Sequence, residues 1–289
     1  MYLVGIDVGG TKSDFLLCDE NENQLKRVIL GAGNPNDIGI DACISLLSQG
    51  LDELCKNIAP DAVFAGVSGG GYGENAIKIK EFLKNRYPKA KVDNGTDALN
   101  LINCSRFENA GALICGTGSA LFLRTEGRLL RFGGWGHFFD DGGSGYDIGR
   151  EALRFLLDCE EKSTQMLDFP LCRLLLDRLG SSAHDALSDF YKKGKNYVAS
   201  FSPLVFEACE QGDVMARQII ERNVATVAER IESALNTACG KCGIEEIICA
   251  GGLFNSPIFY ELLIEKTKAP LSLLTVPPVV GACRAARRL

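Results

Sequence analysis

The stretch G-I-D-V-G-G-T-K, residues 5–12, decides the fold of this chain, because in it an apolar strand runs directly into a glycine-rich hairpin turn. Glycine tolerates positive φ angles, so such a turn can aim successive backbone N–H groups into one concavity that suits an anion. A single turn of this kind is weak evidence, since β-hairpins in general favour glycine. Asp7 adds weight, because a carboxylate inside an apolar strand is costly unless it meets a cation.

A second stretch, L-I-C-G-T-G-S at residues 113–119, has the same layout of an apolar strand followed by a glycine-rich turn. Two such turns, each between two predicted strands, indicate a duplicated phosphate clamp rather than an ordinary hairpin. Because Asp7 supplies a carboxylate beside the first turn, the pattern favours a nucleotide that binds together with Mg²⁺. We therefore expect two lobes around a cleft, each contributing one turn to the nucleotide site.

The predicted strands and helices also divide the chain into two lobes with similar openings. Three strands are expected at the start of each lobe, at 1–8, 13–19, 24–30, 110–115, 120–124 and 128–132. In the first lobe a helix, a strand, a helix, a short strand and a helix opening at Thr96 follow, which gives a βββαβαβα order. The later strands are expected at 62–67, 91–93, 244–250 and 271–275.

The second lobe is expected to carry extra helices, which begin at a capping box formed by Ser144 and Asp147 and run to about residue 239. Further helices are predicted at 257–266 and 281–289. The predicted domains are 1–105 and 106–289, and the final helix is expected to turn at the Pro277-Pro278 corner and pack back toward the first lobe.

Length and composition restrict the class of protein. At ~150 residues per domain, 289 residues suggest two domains, and a hydrophobic content of 46% is ample for two cores. A net charge of −6 without a basic stripe argues against nucleic acid or an anionic membrane as the main partner. The N-terminal residues lack the features of a signal peptide, so we expect a cytoplasmic protein with no membrane contact.

The chain has 12 cysteines, and most of them lie in apolar helix or strand patterns, where a thiol behaves as a small hydrophobic group. The pair Cys239 and Cys242 has the spacing of metal ligands, but no second pair lies at the distance of a zinc ribbon. A helix end capped by glycine is therefore favoured over a metal site.

These motifs resemble a known superfamily. Residues 7–12 resemble the first phosphate motif of the sugar kinase/actin/Hsp70 superfamily, residues 116–119 resemble its second, and 247–254 resemble its adenosine motif. The stretch G-G-W-G-H-F-F-D-D-G-G-S-G-Y, residues 133–146, is similar to the N-acetylglucosamine kinases of the BadF/BadG-type ATPase family. The resemblance implies an α/β fold of two ribonuclease-H-like, actin-like lobes around a cleft.

The resemblance also implies an activity, an ATP-dependent amino-sugar kinase. It would transfer the γ-phosphoryl group of MgATP to the 6-hydroxyl of N-acetylglucosamine or a related hexosamine. Asp7 would face the magnesium ion through water, because magnesium dehydrates reluctantly. The residues expected to bind the nucleotide lie in the three motifs: Gly9, Gly10, Thr11, Lys12, Gly116, Thr117, Gly118, Gly251 and Gly252.

Asp97, in N-G-T-D-A-L-N, is the candidate general base, because it opens a predicted helix where backbone N–H groups favour a carboxylate. The family has its catalytic aspartate in a similar T-D-A context before the G-T-G-S turn. Two alternatives stay open: Asp97 or Thr96 only caps the helix, or Asp93 is the base instead.

The sugar site is expected to draw on the segment 133–146, because a glycine-rich loop with adjacent acids, the only tryptophan and a histidine is typical of function. By resemblance, Asp141 accepts hydrogen bonds from sugar hydroxyls and Trp135 offers an apolar face. Less weight falls on Asp140, and His137 is interpreted as bracing the loop. The full set of expected sugar contacts is Asn34, Asp97, Ser119, Trp135 and Asp141, with a helix cap as the alternative for Asn34.

One departure and two other protein classes limit this prediction. Ala120 stands where the eukaryotic kinases have an asparagine that touches the sugar, which leaves glucosamine and muramic acid derivatives as alternative substrates. An ATPase activator of a CoA-linked reductase or dehydratase, with an iron–sulfur cluster, is the alternative enzyme, and a sugar sensor is the non-catalytic alternative. The zinc motif of the glucokinase-like family is missing. We expect a homodimer.

Overall fold

The structure, a computed structural model, describes residues 1–162, 168–238 and 243–289, and two mixed five-stranded sheets organise them. The strands are β1 Tyr2–Val8, β2 Ser13–Asp19, β3 Gln24–Leu30, β4 Ala62–Val67, β5 Lys91–Gly95, β6 Ala110–Cys115, β7 Ser119–Thr125, β8 Arg128–Gly133, β9 Glu246–Ala250 and β10 Leu271–Leu273. The helices are α1 Pro35–Ile38, α2 Ile40–Cys55, α3 Gly73–Arg86, α4 Asp97–Ile102, α5 Gly145–Glu161, α6 Pro170–Leu179, α7 Leu187–Ala199, α8 Ser202–Glu210, α9 Val214–Ala238, α10 Pro257–Lys266 and α11 Pro278–Arg287.

Unit 1 consists of Met1–Glu108 and Leu274–Leu289. Its sheet has the strand order β3-β2-β1-β4-β5, in which β1 runs antiparallel to β2 and parallel to β4. Strand β1 is central because both of its faces are apolar: Val4 and Ile6 pack with α2 and α3, and Leu3 packs with α11. A continuous apolar run is the pattern of a strand that is covered on both sides.

Unit 2 consists of Asn109–Leu273, and its sheet repeats the topology of unit 1. The strand order is β10-β9-β6-β7-β8, with β6 antiparallel to β7 and parallel to β9. Helices α5, α6, α8 and α9 supply much of its core, which holds fully buried side chains such as Ile148, Leu175, Phe201 and Ile231. The extra helices therefore belong to the hydrophobic core of unit 2.

The division into units differs in detail from the sequence-based domains 1–105 and 106–289. The contacts change from unit 1 to unit 2 after Glu108, and they assign Leu274–Leu289 to unit 1. The reason is the position of α11, whose apolar face packs on β1 and β4 through Val279, Ala282 and Ala286.

The predicted strands are found with bounds that differ by up to two residues, as for β5 and β9, and larger differences occur near prolines. Helix α11 begins at Pro278, earlier than the predicted start at Gly281, because proline at the first helical position has a suitable φ and lacks an N–H that would be unpaired there. The short helix α1 was not predicted, although Pro35 occupies its first position. The capping box of α5 is confirmed, since the Ser144 hydroxyl accepts a hydrogen bond from the Asp147 N–H at 3.2 Å.

The cysteines of the described residues are all free thiols. Cys239 and Cys242 lie outside the described residues, so the interpretation of that pair stays a prediction. Among the helices of the described ranges, none combines the length and the apolar character that crossing a membrane requires.

Candidate functional site

The first glycine turn joins β1 to β2, where Val8 pairs with Ser13. The Gly9 N–H donates to the Lys12 carbonyl at 2.9 Å and closes the turn, while Gly33 donates to the Gly9 carbonyl at 3.1 Å. The residues at the tip of the turn, from 10 to 12, are exposed. The turn is therefore held from its base, and its tip is accessible to an anion.

Asp7 lies at the end of β1 and is held by Asn100, a residue that the sequence analysis did not single out. The fully buried Asn100 side chain donates from Nδ2 to Asp7 Oδ1 at 2.7 Å and to the Ile6 carbonyl at 3.2 Å. A polar residue on the buried face of α4 was the one signal in the sequence for this contact. Asn100 fixes the direction in which the Asp7 carboxylate points.

The environment of Asp7 disfavours a negative charge. Burial raises the pKa of Asp7 to about 6, and the charges of Asp97 and Asp14 act in the same direction. The hydrogen bond from Asn100 lowers the pKa, and the opposing charge of Lys12 is the smallest of these effects. The negative charge of the half-buried Asp7 is only partly offset by Asn100 and Lys12. A bound cation would offset it further, so this carboxylate fits Mg²⁺.

Asp97 is the first residue of α4, as predicted. Its Oδ1 accepts hydrogen bonds from the Thr96 hydroxyl at 2.9 Å and from the Ala98 N–H at 3.1 Å. The rival Asp93 forms an ion pair with Lys80 at 2.9 Å. Because the charge of Asp97 raises the pKa of Asp7, these two carboxylates lie close enough to interact. This arrangement favours Asp97 over Asp93 as the base, and the role itself stays a prediction.

Asn34 caps α1, which was the alternative interpretation of this residue. Its Oδ1 accepts a hydrogen bond from the Asn36 N–H at 3.0 Å. Gly69 lies against the same side chain and has a φ of 70°, so a larger residue there would strain the backbone and meet Asn34. The contact of Asn34 with a sugar stays a prediction.

The second glycine turn joins β6 to β7, where Cys115 pairs with Ser119. The Gly116 N–H donates to the Gly118 carbonyl at 2.9 Å. The start of α5 supports the turn from below, because the Gly145 N–H donates to the Gly116 carbonyl at 2.7 Å. Thr117 at the tip is exposed. Both units thus present a closed glycine turn with an accessible tip.

Several charged side chains lie around the second turn and form hydrogen bonds with it and with one another. Asp141 is only 6% exposed, and it accepts hydrogen bonds from the Ser119 N–H at 3.2 Å and from Lys195 Nζ at 2.7 Å. Arg230 donates to the Ser119 hydroxyl at 2.6 Å and to Asp140 at 2.8 Å. The structure therefore brings Ser119 and Asp141 together, while their contact with a sugar stays a prediction.

Lys195 is the second residue that the sequence analysis missed. It follows Gly194, whose φ of 68° and ψ of −158° interrupt α7 and redirect the chain. A Cβ added at Gly118 would lie 3.1 Å from Lys195 Nζ, so the ammonium group lies directly against the second turn. A glycine within the helical run of residues 187–199 was the available signal, and it did not say which lysine would reach the turn.

Trp135 is 61% exposed, and the Arg131 guanidinium lies 4.5 Å from its ring centroid, while its contact with a sugar stays a prediction. His137 packs its ring against Phe138 and Tyr146, with centroid distances of 4.2 and 5.0 Å. This packing agrees with the interpretation of His137 as a residue that braces the loop.

A cavity of about 820 Å³ lies within unit 2 beside the second turn. Its lining includes Thr117 from the turn, Asn196 from α7, Glu207 from α8, and Gly252 from the predicted adenosine motif. Gly251 has a φ of 108°, and a Cβ there would overlap the backbone of Cys115. Because only glycine fits at position 251, the adenosine motif can lie directly against the end of β6.

A smaller cavity of about 250 Å³ also borders the second turn, and its lining includes Gly118, Ala120, Gly134, Asp141 and Lys195. Within the described ranges, no group of three or more histidine, cysteine, aspartate or glutamate side chains is arranged to hold a metal ion. The glycine turns present backbone groups beside carboxylates and cations, and their recognition of phosphate stays a prediction.

Two relatives are similar over most of their length. One is the N-acetylmuramic acid/N-acetylglucosamine kinase of Clostridium acetobutylicum, 27% identical over 265 residues that cover 88% of this chain and 86% of the relative. The other is the N-acetyl-D-glucosamine kinase of Dictyostelium discoideum, 25% identical over 312 aligned positions that cover 96% of this chain and 95% of the relative.

A crystal structure of a protein from Chromobacterium violaceum superposes with a TM-score of 0.73 at 20% identity and covers 98% of this chain and 97% of its own. This likeness confirms the predicted fold class. The sequence model of the BadF/BadG/BcrA/BcrD ATPase family matches residues 4–283, nearly the whole length, so the chain belongs to that family of ATPases.

Proposed function

We propose that this protein is an ATP-dependent amino-sugar kinase that phosphorylates the 6-hydroxyl of N-acetylglucosamine or a related hexosamine. One observation carries the proposal: each unit has a closed glycine turn, and the first of them lies beside two interacting carboxylates, Asp7 and Asp97. Membership in an ATPase family implies ATP as the nucleotide. Both relatives are named as kinases, which gives no support to the alternative of a reductase activator.

The nucleoside of ATP would occupy the cavity of about 820 Å³ in unit 2, whose size suits a small ligand. The N–H groups at the tips of the two turns, residues 10–12 and 117–118, would bind phosphate, because those of Gly9 and Gly116 donate within the turns. Lys195 Nζ also lies against Gly118, where it pairs with the Asp141 carboxylate at 2.7 Å and so fixes the charged groups beside the second turn.

Mg²⁺ fits beside Asp7, the half-buried carboxylate whose charge is poorly compensated. When bound with ATP, the ion would neutralise charge on the β- and γ-phosphates. Asn100 would orient Asp7 toward this task through its hydrogen bond of 2.7 Å. Neutral pH lies above the raised pKa of Asp7, so the carboxylate is charged under ordinary assay conditions.

Asp97 would accept the proton of the sugar hydroxyl as the new O–P bond forms and the bond from the γ-phosphorus to its bridging oxygen breaks, releasing ADP. Its Oδ1 is held by Thr96 and Ala98, so the carboxylate has a defined orientation. Such positioning matters because phosphoryl transfer depends mainly on alignment and electrostatics.

The sugar would contact Asn34, Ser119, Trp135 and Asp141. A carboxylate has lone pairs for several donors. Asp141 can therefore accept a hydrogen bond from a sugar hydroxyl while it keeps its hydrogen bond from Lys195. Ala120 lines the smaller cavity and offers no polar group. This absence of a donor at position 120 makes muramic acid derivatives and glucosamine substrates to be tested beside N-acetylglucosamine.

The test is a panel of amino sugars with MgATP, in which ADP release is followed and the new phosphate is located by NMR. We expect phosphorylation at the 6-hydroxyl. Asp97→Asn keeps the shape of the side chain but cannot take the proton, so turnover should fall by about a hundredfold or more while sugar affinity changes little.

Asp93→Asn is the matched control, because Asp93 belongs to the same segment and is paired with Lys80. It should retain nearly full turnover. Normal turnover in Asp97→Asn together with its loss in Asp93→Asn would reverse the assignment of the base. ADP release that no sugar in the panel stimulates would argue against a kinase.

A further inference from the structure

We infer that unit 1 carries a second anion site, separate from the glycine turns, which binds the phosphate group of a small molecule. The inference goes beyond the proposed kinase reaction and does not depend on it. The site is a cavity of about 680 Å³ where the β2–β3 turn, the segment after α4 and the end of α11 meet. Its charged lining consists of Glu20, Glu22, Arg106, Arg284, Arg287 and Arg288.

The carboxylates of this cavity are already neutralised. Glu20 forms an ion pair with the N-terminal ammonium group at 3.0 Å, and Glu22 forms one with Arg284 at 3.0 Å. The terminal residue is also engaged, because Lys91 Nζ donates to the Leu289 carbonyl oxygen at 2.7 Å. The remaining arginines therefore leave an excess of positive charge in this cavity, within a chain whose net charge is −6.

Two of the arginines are held in place by the protein. Arg284 donates to the Cys104 carbonyl at 2.6 Å in addition to its pair with Glu22, and Arg288 donates to Asn103 Oδ1 at 2.8 Å. Arg106 and Arg287 are exposed and make no hydrogen bond or ion pair with residues in the described part of the chain. The cavity thus combines fixed guanidinium groups with others that are available to a ligand.

Arginines near the end of a helix have an ordinary explanation, because they interact favourably with the helix dipole. That explanation covers Arg287 in the last turn of α11, and it covers Arg178 in the last turn of α6. It does not cover Arg106, which comes from a different segment and lines the same cavity. The convergence of separate segments on one concavity is what points to a ligand.

The chemistry of the lining selects the ligand class. Guanidinium groups match the geometry of phosphate oxygens and bind them through paired, charge-assisted hydrogen bonds. The concavity, about 680 Å³ in volume, has room for the phosphate group of a small molecule. Inorganic phosphate, a sugar phosphate and a nucleotide share this chemistry, so the experiment has an arm for each.

The experiment is calorimetric titration of the full chain at low ionic strength with inorganic phosphate, glucose 6-phosphate and ADP as separate probes. The test variant is Arg106→Gln/Arg287→Gln, which removes the two arginines that pair with no residue in the described ranges. We expect at least a tenfold loss of affinity in one or more arms, since each charge-assisted contact contributes substantially. The probe whose affinity falls most in the variant identifies the class of phosphate compound that the site binds.

Arg178→Gln is the matched control, because Arg178 is exposed, lies in the last turn of a helix and is outside the cavity. It should leave all three affinities unchanged. Phosphate binding at the glycine turns does not involve Arg106 or Arg287, so that binding would persist equally in the parent and the double variant. Equal affinities in all arms for the two proteins would therefore overturn the inference and leave the proposed kinase untouched.

A second measurement uses only the parent chain, so a folding defect of the double variant cannot affect its result. Phenylglyoxal modifies accessible arginines, and mass spectrometry of the parent chain should show that saturating phosphate probe protects Arg106 and Arg287 but not Arg178. Absence of this protection overturns the inference. So does binding of poly-glutamate that depends on Arg106 and Arg287 without any binding of the phosphate probes, because it identifies an acidic-protein surface instead.

Discussion

Asp7, the candidate magnesium ligand, opposes stability through its buried charge. Strand β1 surrounds it with buried apolar neighbours, and burial raises the pKa of Asp7 to about 6 from a usual value of 3.8. The folded protein therefore holds this proton more tightly than the unfolded chain does. As pH rises from about 4 to about 6, the unfolded chain loses the proton first, and the free energy of unfolding falls. Above about pH 6 Asp7 is charged in both states, and the full cost of burying its charge lowers the free energy of unfolding.

Asp7→Asn should remove this penalty, since the amide is neutral and its oxygen can still accept the hydrogen bond from Asn100. We expect the free energy of unfolding at pH 7.5 to rise by about 2–3 kcal/mol and its fall between pH 4 and 6 to flatten. Urea unfolding without nucleotide or metal measures both. Turnover with MgATP should be largely lost in the same variant.

Glu81→Gln provides the control for Asp7→Asn, because Glu81 is an exposed carboxylate in the same unit. It should change neither the stability at pH 7.5 nor its pH dependence. An Asp7→Asn variant that is no more stable than the parent at pH 7.5 would show that the carboxylate carries no such penalty.

At the scale of elements, the site in unit 1 depends on how closely α11 packs against its neighbours. A Cβ added at Gly5 on β1 would lie 2.5 Å from the Cys283 N atom, and one added at Gly281 on α11 would overlap the Asn100 carbonyl oxygen. Glycine is required at both positions because neighbouring backbone atoms lie too close for a side chain, and not because the backbone has a positive φ. Because Asn100 orients Asp7, the packing of α11 on α4 also positions the candidate magnesium ligand.

Gly281→Ala tests this packing. In an isolated helix the change would stabilise by up to about 1 kcal/mol, since alanine is the better helix former. Here we expect destabilisation by about 1–3 kcal/mol, because the added methyl group forces α4 and α11 apart. Urea unfolding gives the value. Gly31→Ala, where an added Cβ would meet nothing within 4 Å, should have little effect. A stabilised Gly281→Ala variant would contradict the close packing.

At the scale of the whole molecule, both units are built on the same sheet topology, and the chain returns to unit 1 for its last residues. The final helix buries Leu3, Phe64 and Val279 in one cluster, so unit 1 is completed only when α11 is in place. The core of unit 2 is formed entirely by residues that precede α11.

A chain that stops after Leu273 should therefore lose the structure of unit 1 and retain that of unit 2. Amide hydrogen exchange should show that β1 and β4 lose protection while β6 and β9 keep theirs. A chain that stops after Arg287 keeps the whole of α11, and its exchange should match the parent. Retained protection of β1 in the shorter chain would mean that α11 is dispensable for unit 1.

Much of this architecture followed from local signals in the sequence. The alternation of strands and glycine turns predicted the opening of both units, since hydrophobic runs and turn chemistry act over a few neighbouring residues. The same signals pointed to Asp7, to the turns at 9–12 and 116–118, and to Asp97 at the start of α4. The cap formed by Asn34 was also available locally, as the alternative to a sugar contact.

Only the tertiary structure decided the contacts between residues that lie far apart in sequence. Asn100 reaches Asp7 because α4 packs beneath β1, and Lys195 reaches Asp141 because Gly194 redirects α7. The cavity that joins Arg106 to Arg287 likewise exists only because α11 returns to unit 1. Periodicity and motifs determine which local element forms, whereas the partners of a side chain depend on how distant elements pack. That packing is a property of the whole fold.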